Sequence, residues 1–488
     1  MTVAESFQMP DLHGVGDGIA THPGRPESVW TVYFDTSDLR LARWNASLRH
    51  RLGQGWTVKL PPELDGSVLV RPEITFPGDG KRPPAAAADL VRAFVRGGEL
   101  EPRARLWTTR RRTELRDEAG RLVADVFEDD VTVRDGRTLT GGFKEIEIEV
   151  GDATPAALLE ELLERFGGAG ADASSPTSKY VRALGVAGVE PEVRIPSLED
   201  GATLGEVVRR ALAASVVRLV VHDPIMRLDT DPEGVHQARV ATRRIRSDLV
   251  TFGRAVEPIH AAELRDELGW LARILGAVRD GDVMLERMRT RAEQLGPGHA
   301  TGAGEVVSSL AADRARAHAA LLATLRDRRY VRLLDRLVVE AREPVLSASA
   351  DVPAQDAVGA LVGKPWHKLA KQRKAIGKKP RNADLHRLRI RAKRLRYAAE
   401  AVAPVVGKPA KGLASAAADL QDVLGELNDA VVAESWLRAW AAEKGRSRDA
   451  VTAANALAKL ERADAKRLRS EWRPVWKQLA SPELRAWM

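Results

Sequence analysis

Two segments of the chain carry the same run of basic side chains. Residues 235–246 (VHQARVATRRIR) align with residues 385–396 (LHRLRIRAKRLR) at an offset of 150 positions. His236 matches His386, Arg239 matches Arg389, Arg243 matches Lys393 and Arg246 matches Arg396. Spacings of 3, 4 and 3 put each set of four on one face of a helix. Cations at i,i+4 repel, so such a stripe without interleaved acids is unfavourable unless something anionic compensates. The chemistry on offer is capture of a polyanion. Arginine supplies a planar fork, lysine a point charge, and an imidazolium donates to a phosphate oxygen more readily as the pH falls. A solvated surface is the ordinary reading of a charge run, and the stacked repulsion argues against it here. Asp280 and Asp429 are the acids placed to hold arginines from a neighbouring helix.

A second basic run precedes the second copy. Lys364, Lys368 and Lys371 share a helical face, and Trp366 is the only aromatic among them. Proteins that bind single-stranded nucleic acid interleave aromatics with cations so that bases can stack. With aromatics at 5% of the chain, the pattern favours phosphate without bases over RNA or DNA.

The first third of the chain offers different spacing. Arg49 and Arg51 are two apart, as are Arg110 and Arg112, so each pair shares one face of a strand. Lys59 can join them from the next strand. Glu145, Glu147 and Glu149 alternate with Ile146 and Ile148, so three carboxylates face one way and the isoleucines the other. Opposed cationic and acidic faces suit a metal-bound phosphate chain: cations grip phosphoryl oxygens while acids hold Mg²⁺ or Mn²⁺. The plain alternative is a half-buried strand with a solvated acidic face.

The elements that must position these groups differ along the chain. Its 488 residues allow two to four domains; 44% hydrophobic and 30% charged residues describe a globular chain. Up to the Pro-punctuated stretch at 191–196, short alternating segments separated by Gly, Pro and Asp read as strands. Beyond it, Ala-, Leu- and Arg-rich sequence with apolar residues three and four apart reads as long amphipathic helices. The net charge of +8 divides along the same line. Residues 1–190 hold 24 Lys/Arg against 30 Asp/Glu, and residues 191–488 hold 52 against 38, or −6 and +14. Residues 271–280 (LARILGAVRD) and 420–429 (LQDVLGELND) repeat at an offset of 149, so the helical part reads as a duplication. The absence of cysteine excludes disulfides, thiolate metal sites and a cysteine nucleophile. No signal peptide and no span-length apolar stretch stand out, so the expected location is cytoplasmic.

The paired HxxRxxxRxxR blocks, the Leu-Gly-x-x-x-Asp blocks after them and Arg396-Tyr397 resemble the CHAD family, the conserved-histidine α-helical domains. The resemblance covers about residues 200–488. It implies two pseudo-symmetric four-helix bundles with a basic cavity between them, inorganic polyphosphate as ligand, and an association with polyphosphate granules. The ligand residues it implies are His236, Arg239, Arg243, Arg246, His386, Arg389, Lys393 and Arg396, with Lys368 and Lys371 second in rank.

Residues 33–42 (YFDTSDLRLA), 47–51 (SLRHR), 56–61 (WTVKLP) and Ser178-Lys179-Tyr180 resemble the CYTH family of triphosphate tunnel proteins. That resemblance implies a closed eight-stranded antiparallel barrel acting on inorganic, nucleotide or thiamine triphosphate. Arg49, Arg51, Lys59, Arg110, Arg112 and Lys179 would grip phosphate, and Glu145, Glu147 and Glu149 would face Mg or Mn. The family opens with Glu-x-Glu-x-Lys, which this sequence lacks. Either the start is assigned just after that lysine or the strand is truly missing. The expectation is a barrel short of its first strand and of half its metal acids, with triphosphatase activity weak or absent.

The expected architecture is therefore α+β and multidomain. A tunnel-type β-barrel occupies 1–190 and a linker 191–200. An all-α domain of two four-helix bundles follows at 201–488, with repeat one at about 201–300 and repeat two at about 361–488. The leading function is polyphosphate binding by the helical part, ahead of a metal-dependent triphosphatase in the barrel and, third, RNA binding. No metal is required of the helical part, and no membrane partner is expected.

Overall fold

The structure is a computed structural model that describes residues 1–65, 68–135, 138–151, 154–172, 178–185 and 188–488. The chain divides into two compact units, Met1–Glu192 and Val193–Met488.

Alternation of apolar and polar residues builds the first unit as antiparallel strands. These are β1 (Thr2–Val3), β2 (Ala20–Pro23), β3 (Glu27–Asp35), β4 (Ser47–Arg51), β5 (Gly55–Lys59), β6 (Glu63–Asp65), β7 (Val68–Val70) and β8 (Glu73–Phe76). Three long strands follow: β9 (Glu101–Arg116), β10 (Leu122–Asp135) and β11 (Thr138–Val150). The main sheet has nine strands in the order β1-β11-β10-β9-β3-β4-β5-β8, with β2 also on β9, while β6 and β7 pair separately. Among the described residues the path runs open from β1 to β8. On the outer side of β11 the ladder is confined to Met1–Val3, which meets Lys144, Glu145 and Ile146. The β4–β5 turn needs Gly55 at φ +86, where a Cβ would lie 2.6 Å from the Phe76 carbonyl oxygen.

The unit's helices are α1 (Arg40–Arg43), α2 (Ala85–Leu90), α3 (Arg92–Val95), α4 (Ala156–Gly168) and α5 (Lys179–Ala183). Leu158, Leu162 and Phe166 of α4 bury the apolar sheet face carrying Leu115, Val126 and Ile146. This leaves the opposite face for polar chemistry. Asp35, fully buried at the end of β3, accepts from the amides of Thr36 (2.7 Å), Leu41 (2.8 Å) and Ala42 (3.0 Å) and from the Tyr180 hydroxyl (3.1 Å). Tyr180 also stacks on Tyr33, 5.0 Å between ring centres. One carboxylate thus ties α1 and α5 to the sheet.

The second unit is helical throughout. Its helices are α6 (Leu204–Val221), α7 (Asp223–Leu228), α8 (Glu233–Thr251), α9 (Pro258–Glu293), α10 (Ala300–Arg326), α11 (Arg328–Arg342), α12 (Ala354–Lys374), α13 (Asn382–Val406), α14 (Lys408–Ala441), α15 (Arg448–Leu468) and α16 (Trp472–Leu479). The duplicated basic segments fall on α8 and α13, and the second matched pair on α9 and α14. Just before helix α8, whose N-cap position is Pro232, Asp231 accepts from the Glu233 amide at 2.7 Å. A core of Val362, Leu369, Leu388, Leu395, Leu413 and Leu420 holds α12, α13 and α14 together. Leu285, Val306, Leu437 and Leu457 join the far parts of α9, α10, α14 and α15. Helix α8 packs against α13. Val235, Val240, Ile245, Ile390 and Leu395 lie off the basic stripes, where they could face a core; Val235, Ile245 and Leu395 are buried, Val240 is half-buried and Ile390 is 39% exposed. No helix among the described residues is long and apolar enough to cross a membrane.

Because Asp35 satisfies three buried backbone amides, Asp35→Ala leaves them without an acceptor. It should cost on the order of 3 kcal/mol. Thermal unfolding of the full chain followed by near-UV circular dichroism checks this: an unchanged first transition would contradict the role given to Asp35.

Candidate functional site

In the helical unit the two basic stripes meet where α8 packs on α13. Lys393 sits among Arg243, Arg389, Arg239 and Arg396. Burial, and then these four guanidinium groups, push its ammonium down to about 7. Burial also lowers Arg243. The Nε atoms of Arg243 and Arg389 are buried without an acceptor. Orphaned charged donors of this kind are costly, and an anion is what they lack. Arg389 lies across Gly425 and Arg246 across Gly269, so small residues on α14 and α9 leave room for them.

Acids answer only part of the stripe. Asp280 takes Arg239 at 2.8 Å, as its position suggests. Asp429 instead accepts from the Asn428 amide at 3.3 Å. Glu400 reaches both copies, pairing with Arg244 at 2.5 Å and Arg396 at 2.8 Å. The histidines part company. Burial and then Arg279 lower His236, while exposed His386 makes a 2.9 Å hydrogen bond to the Asn428 side-chain oxygen.

Beside this cluster lies a cavity of about 840 Å³. Helix α8 contributes Arg243 and Arg246, and Arg254 and Arg265 follow from the turn and from α9. Helix α12 adds Lys364 and Lys368, and α13 adds Arg391, Lys393 and Arg394. Among the described residues no carboxylate lines it. Of the residues singled out from sequence, Arg243, Arg246, Lys393, Lys364 and Lys368 reach this cavity. Exposed Lys371 does not line it, nor do His236, Arg239, His386, Arg389 and Arg396. Arg254, Arg265, Arg391 and Arg394 are additions that the stripe spacing misses, because they lie off the 3-4-3 face. Arg391 and Arg394 do stand inside the repeated segment, and that was a usable signal.

In the first unit, register brings the strand residues onto one face. Arg49 and Arg51 on β4 oppose Tyr33 and Thr31 on β3, and Ser47 opposes Lys59 on β5. Arg110 on β9 opposes Asp129 on β10, which opposes Glu145 on β11. Arg110 grips Asp129 through Nε at 2.8 Å and Nη2 at 2.6 Å, and reaches Glu147 at 2.7 Å. Arg112 makes a forked pair with Asp125 at 2.8 and 2.7 Å. Lys59 pairs with Glu73, and Arg49 reaches the same carboxylate at 3.3 Å. Burial lowers Lys59, and burial with Arg49 and Arg110 lowers Arg51. The Nε atoms of Arg49 and Arg51 are buried without an acceptor. The charges of Arg49 and Lys59 act on Glu147 although five strand-to-strand steps separate β5 from β11, so the sheet curls this face inward.

The acids gather differently from the expectation. Asp129, Glu145 and Glu147 bring carboxylate oxygens within 4.8 Å of one another. Glu149 is not among them; it is exposed and acts on Arg112 further along β11. Glu149 lies four residues along β11 from Glu145, opposite Asp125 rather than Asp129, and that distance carries it out of reach. Asp129, directly across from Glu145, takes the third place. An oxygen-only set of three carboxylates fits a hard divalent cation. Lys179 of α5 meets all three: Asp129, Glu145 at 2.7 Å and Glu147 at 3.5 Å. Burial raises Glu145, whereas at Glu147 the combined charges of Lys179, Arg110, Lys59 and Arg49 outweigh burial and hold it well below the usual carboxylate range.

Residues 10–181 match the CYTH domain and residues 210–438 the CHAD domain. The chain belongs to the family of proteins in which a CYTH domain is followed by a CHAD domain. It is 31% identical over 463 residues to the uncharacterized proteins MT2285 and Rv2226 of Mycobacterium tuberculosis, covering 89% of this chain and 86% of each of those. Among solved structures, the CHAD domain of the plant Ricinus communis matches with TM-score 0.50 and 25% identity, over 59% of this chain and 96% of that one. PptA from Streptomyces chartreusis matches with TM-score 0.49 and 20% identity, over 57% of this chain and 100% of that one.

The Lys393 environment has a consequence for stability. Its ammonium is depressed to about 7 in the fold, so between that pH and its ordinary value the unfolded chain binds the extra proton. The penalty for charging it is complete below pH 7 and fades as the pH rises toward 10. Lys393→Met removes the penalty. It should raise the melting temperature of the ligand-free protein by roughly 2–4 °C at pH 7 and by less at pH 10. Calorimetry at both pH values checks the sign.

Proposed function

We propose that the helical unit binds inorganic polyphosphate. The observation that carries this reading is the acid-free cavity with nine cationic side chains, continuous with the Arg243–Lys393 cluster. Cations crowded in this way repel one another, and a flexible chain of phosphates relieves the repulsion without needing a particular base or backbone geometry. Trp366, the aromatic in the basic run of α12, is buried and stacks on Trp476 at 5.8 Å, so it offers no platform for a base. This supports a phosphate polymer over RNA. His236, Arg239, His386, Arg389 and Arg396 extend the binding surface from the cavity along α8 and α13, and a place at polyphosphate granules in the cytoplasm is consistent with that ligand.

Titration of the full chain with long-chain polyphosphate and with single-stranded RNA at matched ionic strength tests the preference. Polyphosphate should bind at least about 10-fold more tightly, and equal affinity would sink the assignment. Reversing charge at Arg239, Arg243, Arg389 and Lys393 together should weaken polyphosphate binding at least about 100-fold. Affinity that survived the four changes would move the site elsewhere.

A second reading belongs to the first unit. The unanswered Nε donors of Arg49 and Arg51 favour a triphosphate on its cationic face, with Lys59, Arg110, Arg112 and Lys179 as further contacts. Asp129, Glu145 and Glu147 are the acids for Mg or Mn there, where the metal would neutralise phosphate charge and polarise the reacting phosphorus. Those carboxylates are already paired with Arg110, Lys179 and Arg182, so turnover should be slow. Phosphate release from tripolyphosphate with Mg²⁺ or Mn²⁺ measures it; turnover in the ordinary enzyme range of 1–10³ s⁻¹ would contradict this expectation.

A further inference from the structure

The three carboxylates of the first unit already hold a cation, and it belongs to the chain. Lys179 Nζ stands against Asp129, Glu145 and Glu147 together, and its side chain is only 10% exposed. Arg110 covers Asp129 and Glu147 from β9, and Arg182 takes Glu145 at 3.0 Å. Three fixed cations therefore balance three acids. A divalent ion entering alone would have to displace the ammonium and leave an excess of positive charge in a poorly solvated place. The other side of the same face shows the opposite shortage. Arg49, 7% exposed, keeps its Nε without an acceptor, and Arg51 does likewise. Those donors call for an anion.

Resting on the reading of this face as a metal–triphosphate site, we propose that Lys179 occupies the divalent cation's place in the free protein, so that metal and triphosphate bind as an interdependent pair. When a phosphate chain arrives, Lys179 and Arg110 turn from the carboxylates to its oxygens. The metal then enters among acids that have lost their internal counter-ions. Each ligand strengthens the other because each removes what blocks it, and the coupling is reciprocal.

Mn²⁺ binding to the full chain, read from the electron paramagnetic resonance signal of free Mn²⁺, tests this without turnover. A non-hydrolysable imido analogue of tripolyphosphate serves as the anion. An Asp129→Asn/Glu147→Gln chain is titrated in parallel, to subtract Mn²⁺ held by the analogue alone or elsewhere on the protein. The native chain should bind Mn²⁺ at least 10-fold more tightly with the analogue than without it. Lys179→Met should bind Mn²⁺ alone at least 10-fold more tightly than the native chain, and the analogue should then add little. Lys179→Arg, which keeps an internal cation, should keep the weak binding of Mn²⁺ alone and controls for misfolding. Coupling intact in the native chain with unchanged metal affinity in Lys179→Met would overturn the role of Lys179. No subtractable Mn²⁺ binding in any chain, with or without the analogue, would instead overturn the metal–triphosphate reading beneath it.

Discussion

Like charges held together by apolar packing are the constraint around which the helical unit is organised. Ala238, Ala241 and Ile245 on α8, with Leu388, Ala392 and Leu395 on α13, are fully buried. Their burial fixes both helices in place, and the intervening turns must then present Arg239, Arg243, Arg389 and Lys393 to a common space. Each buried Ile or Leu contributes about 1.5–3 kcal/mol and the alanines less, which together is enough to carry the repulsion of a few partly solvated cations. Lys393 records the strain: burial, and then Arg243, Arg389, Arg239 and Arg396, push its ammonium down to about 7. Glu400 is the one acid on α13 that reaches both helices, and it binds Arg244 and Arg396, leaving Arg243 and Lys393 unanswered. The arrangement stores its unmet need at the place where a polyanion would supply it.

The first unit handles the same side chains in the opposite way. Arg110, Arg112, Lys59 and Lys179 all have carboxylate partners in the free protein. Neutrality here comes from pairs that a ligand must take apart, whereas in the helical unit Arg239 and Arg396 hold acids but the ligand also meets Arg243 and Arg389, whose Nε donors have no acceptor. Binding to paired charges is selective because only an anion that satisfies both the released cations and a metal on the released acids repays the broken bonds. Binding to unpaired charges is permissive with respect to length and shape. A short, defined triphosphate suits the first case and a polymer of variable length the second. The overall charge of +8 hides this division, since the acids that bring residues 1–190 to −6 include the groups that would hold a metal there.

Much of this was legible in the residues because it depends on period. The 3-4-3 spacing of the duplicated stripe and the two-residue spacing of Arg49/Arg51 and Glu145/Glu147 depend only on backbone geometry, and the structure keeps those faces. What period could not supply is which residues stand opposite one another. Asp129 enters the acid cluster because β10 pairs with β11 in a register that sets it across from Glu145, and no local pattern around Asp129 announces that. Glu149 looks equivalent to Glu145 and Glu147 along the strand, yet lies one step too far. Arg254 and Arg265 are separated in sequence from the stripes and reach the cavity only through the turn from α8 into α9. Ile390 carries the same lesson: its place on α13 reads as core, but that face opens onto the cavity instead.

The few aromatic side chains sharpen the choice of polyanion further. A base needs an exposed π-face, worth about 1–3 kcal/mol for each base stacked. Trp366 spends its face on Trp476, with Arg485 over its ring at 4.3 Å, and Trp472 is buried beneath Arg373 and Arg473. Tyr397, which lines the cavity, is buried, with Lys393 and Arg244 near 6 Å from its ring centre. The aromatics of this region therefore brace cations and leave no platform for bases. A ligand drawn to it gains from charge density along its length and from little else, and a chain of phosphates without sugars or bases offers the most charge per length.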